Sequence, residues 1–276
     1  MCYQGFLLVT KNLSMKEDIR IFSYLPNPRV WKSLITAKLI SVNVNVIGDK
    51  PRNLPEWLWD FDARKLNDID VKDLTKFKRQ SKRGFKVDLY KTDDFLVKHP
   101  FGTVPAGFNF DGSVGIFESN SIMRAVARSS DDHNLYGGSN RMQQSRIDSF
   151  LDANLGFARE FQVYVLELDE LNDYLYKRMT SAYQFYLDGI EKALLSSAYI
   201  VGDEITIADI SFVCDLAQFL RERDNKNLLR EQGFELISKN FEKEYPLSFN
   251  HLKKLYQTKE FKEVMQDYLE KVLTLK

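Results

Sequence analysis

The sequence predicts an α/β domain in the N-terminal half of the chain and an all-helical domain after it. Short strand patterns and turns alternate with helical patterns up to about residue 136, whereas only long helical patterns follow. With 276 residues, of which 44% are hydrophobic and 28% charged, the chain is long enough for two domains with buried cores. We expect an N-terminal extension over residues 1–17, the α/β domain over 18–136 with an insert at about 49–90, and the helical domain over 137–276.

The first elements predict a strand, helix, strand unit. Residues 19–24 alternate as a buried strand does, and Leu25-Pro26-Asn27-Pro28 ends it with turn residues. Apolar residues at helical spacing predict a helix over 29–40, and residues 42–47 alternate as a second strand. A right-handed crossover would pair these two strands in parallel.

A hairpin and a helix complete the α/β domain. Residues 108–117 are typical of a β-hairpin around Asp111-Gly112, a favoured two-residue turn, and residues 119–128 of the closing helix. Strand, helix, strand, hairpin and helix in this order is the thioredoxin-like arrangement. The predicted fold class is therefore a thioredoxin-like α/β domain followed by an all-α domain.

The second half of the chain carries helical signals alone. Apolar stripes predict helices over residues 140–168 and 171–197, and further helices follow from Leu228. Thr206 has the chemistry of an N-cap, and Asp209, three positions later, can act as its capping-box partner.

Two separated motifs predict a ligand-binding corner. In the segment from His99 to Pro105, the residue before the last proline is held extended, so its backbone can pair with an extended ligand. In Phe117-Glu-Ser-Asn-Ser-Ile122, the amides at the start of a helix can hold a carboxylate. Together with Val201-Gly-Asp-Glu-Ile-Thr-Ile-Ala-Asp209, these motifs resemble the cytosolic glutathione transferase superfamily. The likeness is to bacterial members and to the transferase-like domain of the elongation factor 1 gamma subunit.

The resemblance implies that glutathione is bound as a co-substrate. Glu118 and Ser119 would hold the amino and carboxylate groups of its γ-glutamyl residue, and the backbone of Val104 would pair with its cysteinyl part. Pro105 is implied to follow a cis peptide bond, and Thr103 to contact the ligand beside it. The alternative for Ser119 is an ordinary N-cap on the closing helix.

At the position where the family places the residue that activates the glutathione thiol, this sequence departs from the family pattern. A free thiol has a pKa near 8.5, so reaction at neutral pH needs a donor or a positive charge that favours the thiolate. On the common Ser-x-x-x-Arg spacing, Leu25 occupies the serine position. We rank Asn27 first as the catalytic donor, then Ser23, then Tyr24, and the alternative role of Asn27 is to cap the following helix.

The resemblance implies a glutathione transferase that directs the glutathione thiolate at a hydrophobic electrophilic small molecule. Conjugation and glutathione-dependent bond cleavage start with the same attack, so both stay open. A detoxification role, a homodimer and a cytoplasmic location are implied in the same way. The alternative is a non-catalytic protein-interaction module like the elongation factor domain, which Leu25 at the serine position favours.

The composition argues against several other classes. Lys plus Arg equals Asp plus Glu at 39 each, so the formal charge is zero and does not favour a nucleic-acid partner. No run approaches the roughly 20 apolar residues that span a bilayer, so no membrane partner is expected. The distant pair Cys2 and Cys214 does not suit a disulfide framework, and three dispersed histidines do not suit a metal site.

The insert at about 49–90 replaces a short connection of the resembling family. It carries Trp57 and Trp59, which argue against disorder, and a basic cluster that extends from Lys76 to Arg83. We favour a lid beside the active cleft over a plain surface appendage. A nucleic-acid patch formed by the basic cluster is a further alternative.

Overall fold

The computed structural model of the chain describes residues 19–80, 87–130 and 133–274, with only the backbone described at Ile69 and Val71. The predicted N-terminal extension with Cys2, and the part of the basic cluster at Lys82 and Arg83, lie outside these residues.

The chain begins its described part with the predicted strand, helix, strand unit. The elements are β1 (Ile19–Tyr24), α1 (Pro28–Leu39) and β2 (Val44–Asp49), and the strands pair in parallel with Ile19 opposite Val44. The predicted second strand began two residues too early. The N–H of Val42 donates to the carbonyl of Ala37, so this residue closes the helix C-terminus instead of starting the strand.

The insert folds into a second four-stranded sheet. After a 3₁₀ turn at Pro51–Glu56, its elements are β3 (Trp57–Trp59), β4 (Arg64–Lys65), α2 (Asp68–Phe77), β5 (Lys78–Gln80) and β6 (Asp88–Lys91). The strand order is β4-β3-β6-β5, with β3 and β6 parallel and the outer pairs antiparallel.

The hairpin and closing helix follow a short connecting helix. The elements are α3 (Asp93–Lys98), β7 (Ala106–Asn109), β8 (Gly115–Phe117) and α4 (Ser119–Ala127), and the main sheet has the order β2-β1-β7-β8. The predicted two-residue turn is wrong. The side chain of Asn109 accepts from the N–H of Val114 at 2.8 Å and donates to Ser113, which holds open a longer loop.

The two faces of the main sheet are covered differently. Ile21 packs with α1 and α4, whereas its neighbour Phe22 points to the other face, where it meets Trp57 and Trp59 of the insert. The rings of Phe22 and Trp59 lie edge to face at 5.3 Å. Both tryptophans are buried against the sheet, so the insert is neither the predicted lid nor a plain appendage but covers one side of the sheet.

The C-terminal half is all-helical, as predicted. Its helices are α5 (Arg141–Leu166), α6 (Asp173–Leu194), α7 (Ile207–Phe219), α8 (Lys226–Glu231), α9 (Phe241–Glu244), α10 (Pro246–Tyr256), α11 (Lys259–Met265) and α12 (Tyr268–Thr274), with 3₁₀ turns at Leu168–Glu170 and Leu220–Asn225. The predicted capping box of Thr206 and Asp209 is confirmed at the start of α7. Among the described residues, every helix is too short or too polar to cross a bilayer.

The core joins the two halves of the chain. Helix α7 is buried along nearly its whole length, and it contacts both α1 of the first half and α5 of the second. Cys214 lies inside it with no exposed surface, and burial raises the pKa of its thiol, which confirms the expected core role. The predicted thioredoxin-like and all-helical halves therefore meet along a shared apolar contact.

Candidate functional site

The N-terminus of α4 is uncapped. Glu118 precedes the helix with φ 66° and ψ 127°, and its side chain forms no cap hydrogen bond. Its carbonyl accepts from the N–H groups of Ser121 and Ile122. Within the described residues the N–H groups of Ser119 and Asn120 have no hydrogen-bond partner. These amides and the positive end of the helix dipole suit an anion.

The second part of the corner is the segment before β7. The Val104–Pro105 peptide bond is cis, as the resemblance implied. Thr103 is exposed and Val104 half-buried, and among the described residues the backbone groups of Val104 form no hydrogen bond. An extended ligand can therefore pair with Val104 as an added strand does.

The insert and α3 support this segment from behind. The Lys91 ammonium donates to the carbonyl of Gly102 at 2.6 Å, and the N–H of Gly102 donates to His99 Nδ1 at 3.1 Å. Burial lowers the pKa of Lys91 to about 8. Gly102 has φ 57°, a conformation that favours glycine. These supports were missed from the sequence, because Lys91 looks like an ordinary surface lysine of an insert.

A buried lysine lies behind Ser119. Lys32 of α1 is 1% exposed, and its Nζ donates to Asp215 Oδ2 at 2.6 Å, Asn120 Oδ1 at 2.8 Å and Ser119 Oγ at 3.3 Å. The cluster links α1, α4 and α7. Sequence reasoning missed it. A signal was present in Asp215, a carboxylate among the apolar residues of α7.

The polar side chains at the turn after β1 form hydrogen bonds within the turn. Asn27 caps α1, with its Oδ1 accepting from the N–H of Arg29 at 3.0 Å, and its Nδ2 donates to Ser23 Oγ at 2.9 Å. Asn27 is 1% exposed and Ser23 is 0% exposed. The alternative role of Asn27 as a cap is therefore present, and neither side chain is accessible to a ligand thiol in this structure.

Tyr24 is the third predicted donor, and it is less buried than Asn27 and Ser23. Its ring is half-buried against the same aromatic cluster that Val104 packs on. Burial raises the pKa of Tyr24, and the charges of Arg29 and Arg221 lower it by less. The phenol therefore stays protonated at neutral pH and can donate a hydrogen bond.

Helix α5 faces this corner from the helical half. Arg159 pairs with Glu118 Oε1 at 2.5 Å, and Gln162 accepts from Arg29 at 3.1 Å. The corner therefore lies between the two halves of the molecule, with Glu118 and Arg29 on one side and α5 on the other.

Solved structures with this architecture cover nearly the whole chain. A glutathione transferase from Phanerochaete chrysosporium, solved with oxidized glutathione, aligns with a TM-score of 0.61 over 95% of this chain and 100% of its own, at 17% identity. The chain has the glutathione transferase fold. A Populus trichocarpa glutathione transferase aligns at 0.58 with 20% identity over 91% and 99%, and one from Methylobacillus flagellatus, solved with GSH bound, at 0.59 with 13% identity over 89% and 98%.

The proteins with similar sequences are elongation factor 1-gamma subunits. Elongation factor 1-gamma 1 of Oryza sativa subsp. japonica is 32% identical over 189 residues, which are 64% of this chain and 40% of that protein. Elongation factor 1-gamma-B of Xenopus laevis is 30% identical over 132 residues, 46% of this chain and 29% of that protein. The chain thus spans less than half of these relatives. No protein-family model matches the sequence. The predicted resemblance to the transferase superfamily and its elongation factor branch is confirmed.

Proposed function

We propose that this glutathione transferase-like chain binds glutathione in the corner between Val104 and Ser119. The uncapped N-terminus of α4 carries the proposal, because its free amides and the Ser119 hydroxyl suit the γ-glutamyl carboxylate. Glu118 would take the neighbouring ammonium, and the backbone of Val104 would take the cysteinyl residue, with Thr103 and Pro105 beside it. Transferases of the same fold were solved with this ligand or its oxidized form, which supports the choice.

We further propose that the bound thiol is activated for attack on a hydrophobic electrophile. Tyr24 replaces Asn27 and Ser23 as the proposed donor, because those two side chains are buried and bonded to each other. A phenol that donates a hydrogen bond to the sulfur stabilises the thiolate and so lowers the pKa of the thiol from its usual value near 8.5. The electrophile would lie between the corner and α5. A homodimer that acts in cytoplasmic detoxification belongs to the same proposal.

The second candidate is a non-catalytic interaction module. The closed Ser23–Asn27 pair favours it, since two of the three candidate donors are engaged in the fold itself. The similarity to elongation factor 1-gamma favours it as well. In that case the corner could bind glutathione without a reaction, or the fold could serve only as a docking surface.

Calorimetric titration with reduced glutathione tests the binding proposal. The matched control ligand is the tripeptide isomer with an α-linked glutamyl residue, which has the same charges but a displaced carboxylate. We expect glutathione to bind and the isomer to bind far more weakly. No heat of binding at millimolar glutathione, or equal binding of both peptides, would contradict the proposed site.

A rate assay separates the two candidate functions. An aryl halide that changes absorbance on substitution is mixed with glutathione, with and without the protein. Acceleration that requires the protein and saturates with glutathione supports the transferase. Glutathione binding without any acceleration, over a panel of aryl halides, epoxides and aryl ethers, supports the interaction module.

A further inference from the structure

The buried ammonium of Lys32 uses all its donors at the back of the corner. A lysine side chain has three N–H donors and no acceptor. The oxygen atoms of Asp215, Asn120 and Ser119 lie at 2.6, 2.8 and 3.3 Å from Nζ. With 1% of Lys32 exposed, water does not compete for these positions. The direction of each hydrogen bond is therefore determined, since the ammonium can only donate.

This arrangement determines the role of the Ser119 hydroxyl. Its oxygen accepts from Lys32, so its own proton must point to another acceptor. Within the described residues no acceptor for that proton is present. Ser119 also begins α4, where the amides of Ser119 and Asn120 have no partner in the described part of the chain. The corner thus offers a hydroxyl donor beside two amide donors. Lys32 keeps the Ser119 hydroxyl a donor toward the ligand.

The remaining groups of the cluster hold Lys32 and Asn120 in place. Asn120 donates to the carbonyl of Leu151 at 2.9 Å, and Ser211 Oγ lies 2.9 Å from its Oδ1. Asp215 is 1% exposed and balances the lysine charge. Because the pair is neutral overall, attraction by net charge is small. Beyond the helix dipole, the contribution of Lys32 to selection therefore comes from the direction of its hydrogen bonds.

We propose that Lys32 is a positioning residue that keeps Ser119 a hydrogen-bond donor and so makes the corner selective for a carboxylate over a carboxamide. A carboxylate accepts at both oxygens, whereas a carboxamide turns an NH₂ donor toward one of the corner's donors. The inference rests on the proposed binding of glutathione. It goes beyond that proposal because it assigns the chemical selectivity to a residue that does not touch the ligand.

The competing role for Lys32 is purely structural. Its bond to Asp215 joins α1 to α7 across 183 residues of sequence, and removal of either partner would leave a buried charge unpaired. A structural role predicts lower stability with unchanged ligand preference. The ratio of two affinities separates these roles, because unfolding lowers both affinities together.

The experiment measures two dissociation constants for each variant by calorimetry. The ligands are glutathione and its analogue with the γ-glutamyl α-carboxylate converted to a carboxamide. The variants are Lys32→Met and the double variant Lys32→Met/Asp215→Asn, which leaves no unpaired charge if the single variant fails to fold. The matched control is Lys38→Met on the same helix, whose lysine is 43% exposed and pairs with Glu263.

We expect the wild-type chain to prefer glutathione over the carboxamide. Loss of Lys32 should reduce this preference roughly tenfold or more, as for a hydrogen bond to a charged group, and Lys38→Met should leave it unchanged. A wild-type chain that binds both ligands equally overturns the assignment, as does a folded Lys32 variant that keeps the full preference. A wild-type chain that binds neither ligand overturns the proposed function itself and the assignment with it.

Discussion

The two helices that begin at the corner differ at their N-termini. The first turn of α1 is closed by Asn27, whose side chain accepts from Arg29 and donates to the buried hydroxyl of Ser23. The first turn of α4 has no side-chain cap, and Ser119 there has a proton without an acceptor among the described residues. One helix start is satisfied within the fold, and the other has hydrogen-bond donors without a partner among the described residues.

The difference teaches which polar residues near a cleft are functional candidates. Asn27 and Ser119 are both polar residues at helix starts, and sequence patterns do not separate them. The fold does, because Asn27 has two internal partners, whereas among the described residues Ser119 has only the donor Lys32 behind it. We therefore expect the loss of Asn27 to change mainly stability and the loss of Ser119 to change mainly binding.

The largest effect is expected for Asn27→Ala. The change removes a helix cap and leaves the buried Ser23 hydroxyl without its donor, so the free energy of unfolding should fall by about 3 kcal/mol. Denaturant unfolding measures it. The control is Asn172→Ala, which removes an exposed cap of α6 and should cost only about 1 kcal/mol. Equal losses, or lost glutathione affinity in folded Asn27→Ala, would contradict the comparison.

The next effect is expected for Ser119→Ala. Glutathione binding should weaken by about 2 kcal/mol, because a hydrogen bond to the ligand carboxylate is lost. Stability should fall by about 1 kcal/mol as well, since the buried Lys32 ammonium loses one of its three acceptors. Ser121→Ala, two positions along the same helix, is the control. If both variants bind equally well, α4 does not hold the carboxylate through Ser119.

A smaller effect is expected for Tyr24→Phe. Loss of the phenol donor should raise the pKa of the bound glutathione thiol by about one unit, so the thiolate forms at higher pH. Ultraviolet absorbance of the thiolate, titrated in the complex, measures the midpoint. Tyr174→Phe removes an exposed hydroxyl on α6 and should leave the midpoint unchanged. An unmoved midpoint in Tyr24→Phe would exclude Tyr24 as the activating residue.

The smallest effect is expected for Glu118→Gly. Glu118 has φ 66°, a conformation that glycine adopts without strain, so stability should rise by about 1 kcal/mol. Glutathione affinity should fall at the same time, because the proposed partner of the ligand ammonium is gone. Glu118→Gln keeps the backbone strain and should lose affinity without the gain. Unchanged affinity in both variants would remove Glu118 from the site.

Local patterns predicted the corner and the helix caps. The Val104-Pro105 segment and the start of α4 are contiguous motifs, and the Thr206–Asp209 capping box spans four residues. Each depends on backbone conformations that neighbouring residues determine. This is why both parts of the proposed site could be predicted from the sequence. That they lie close together follows from the topology of the sheet, which the sequence motifs do not contain.

Long-range contacts were beyond the sequence. Lys32 and Asp215 are 183 residues apart, and the spacing of α1 alone does not say that one of its lysines is buried. The short strands of the insert pair in parallel and antiparallel across a helix, so no single segment carries the pattern of a sheet. The accessibility of Tyr24 compared with Ser23 also depends on which face of β1 the insert covers.

The second sheet changes what a shortened version of this protein would be. Deleting residues 50–87 to restore a short connection would uncover Phe22, Ala106 and Phe108, all of which lie at 1% exposure or less. It would also detach β6, whose Lys91 holds the carbonyl of Gly102. A shortened chain would therefore expose an apolar surface, tend to aggregate, and lose support for the ligand-binding corner. Any minimal version of the protein has to keep the insert.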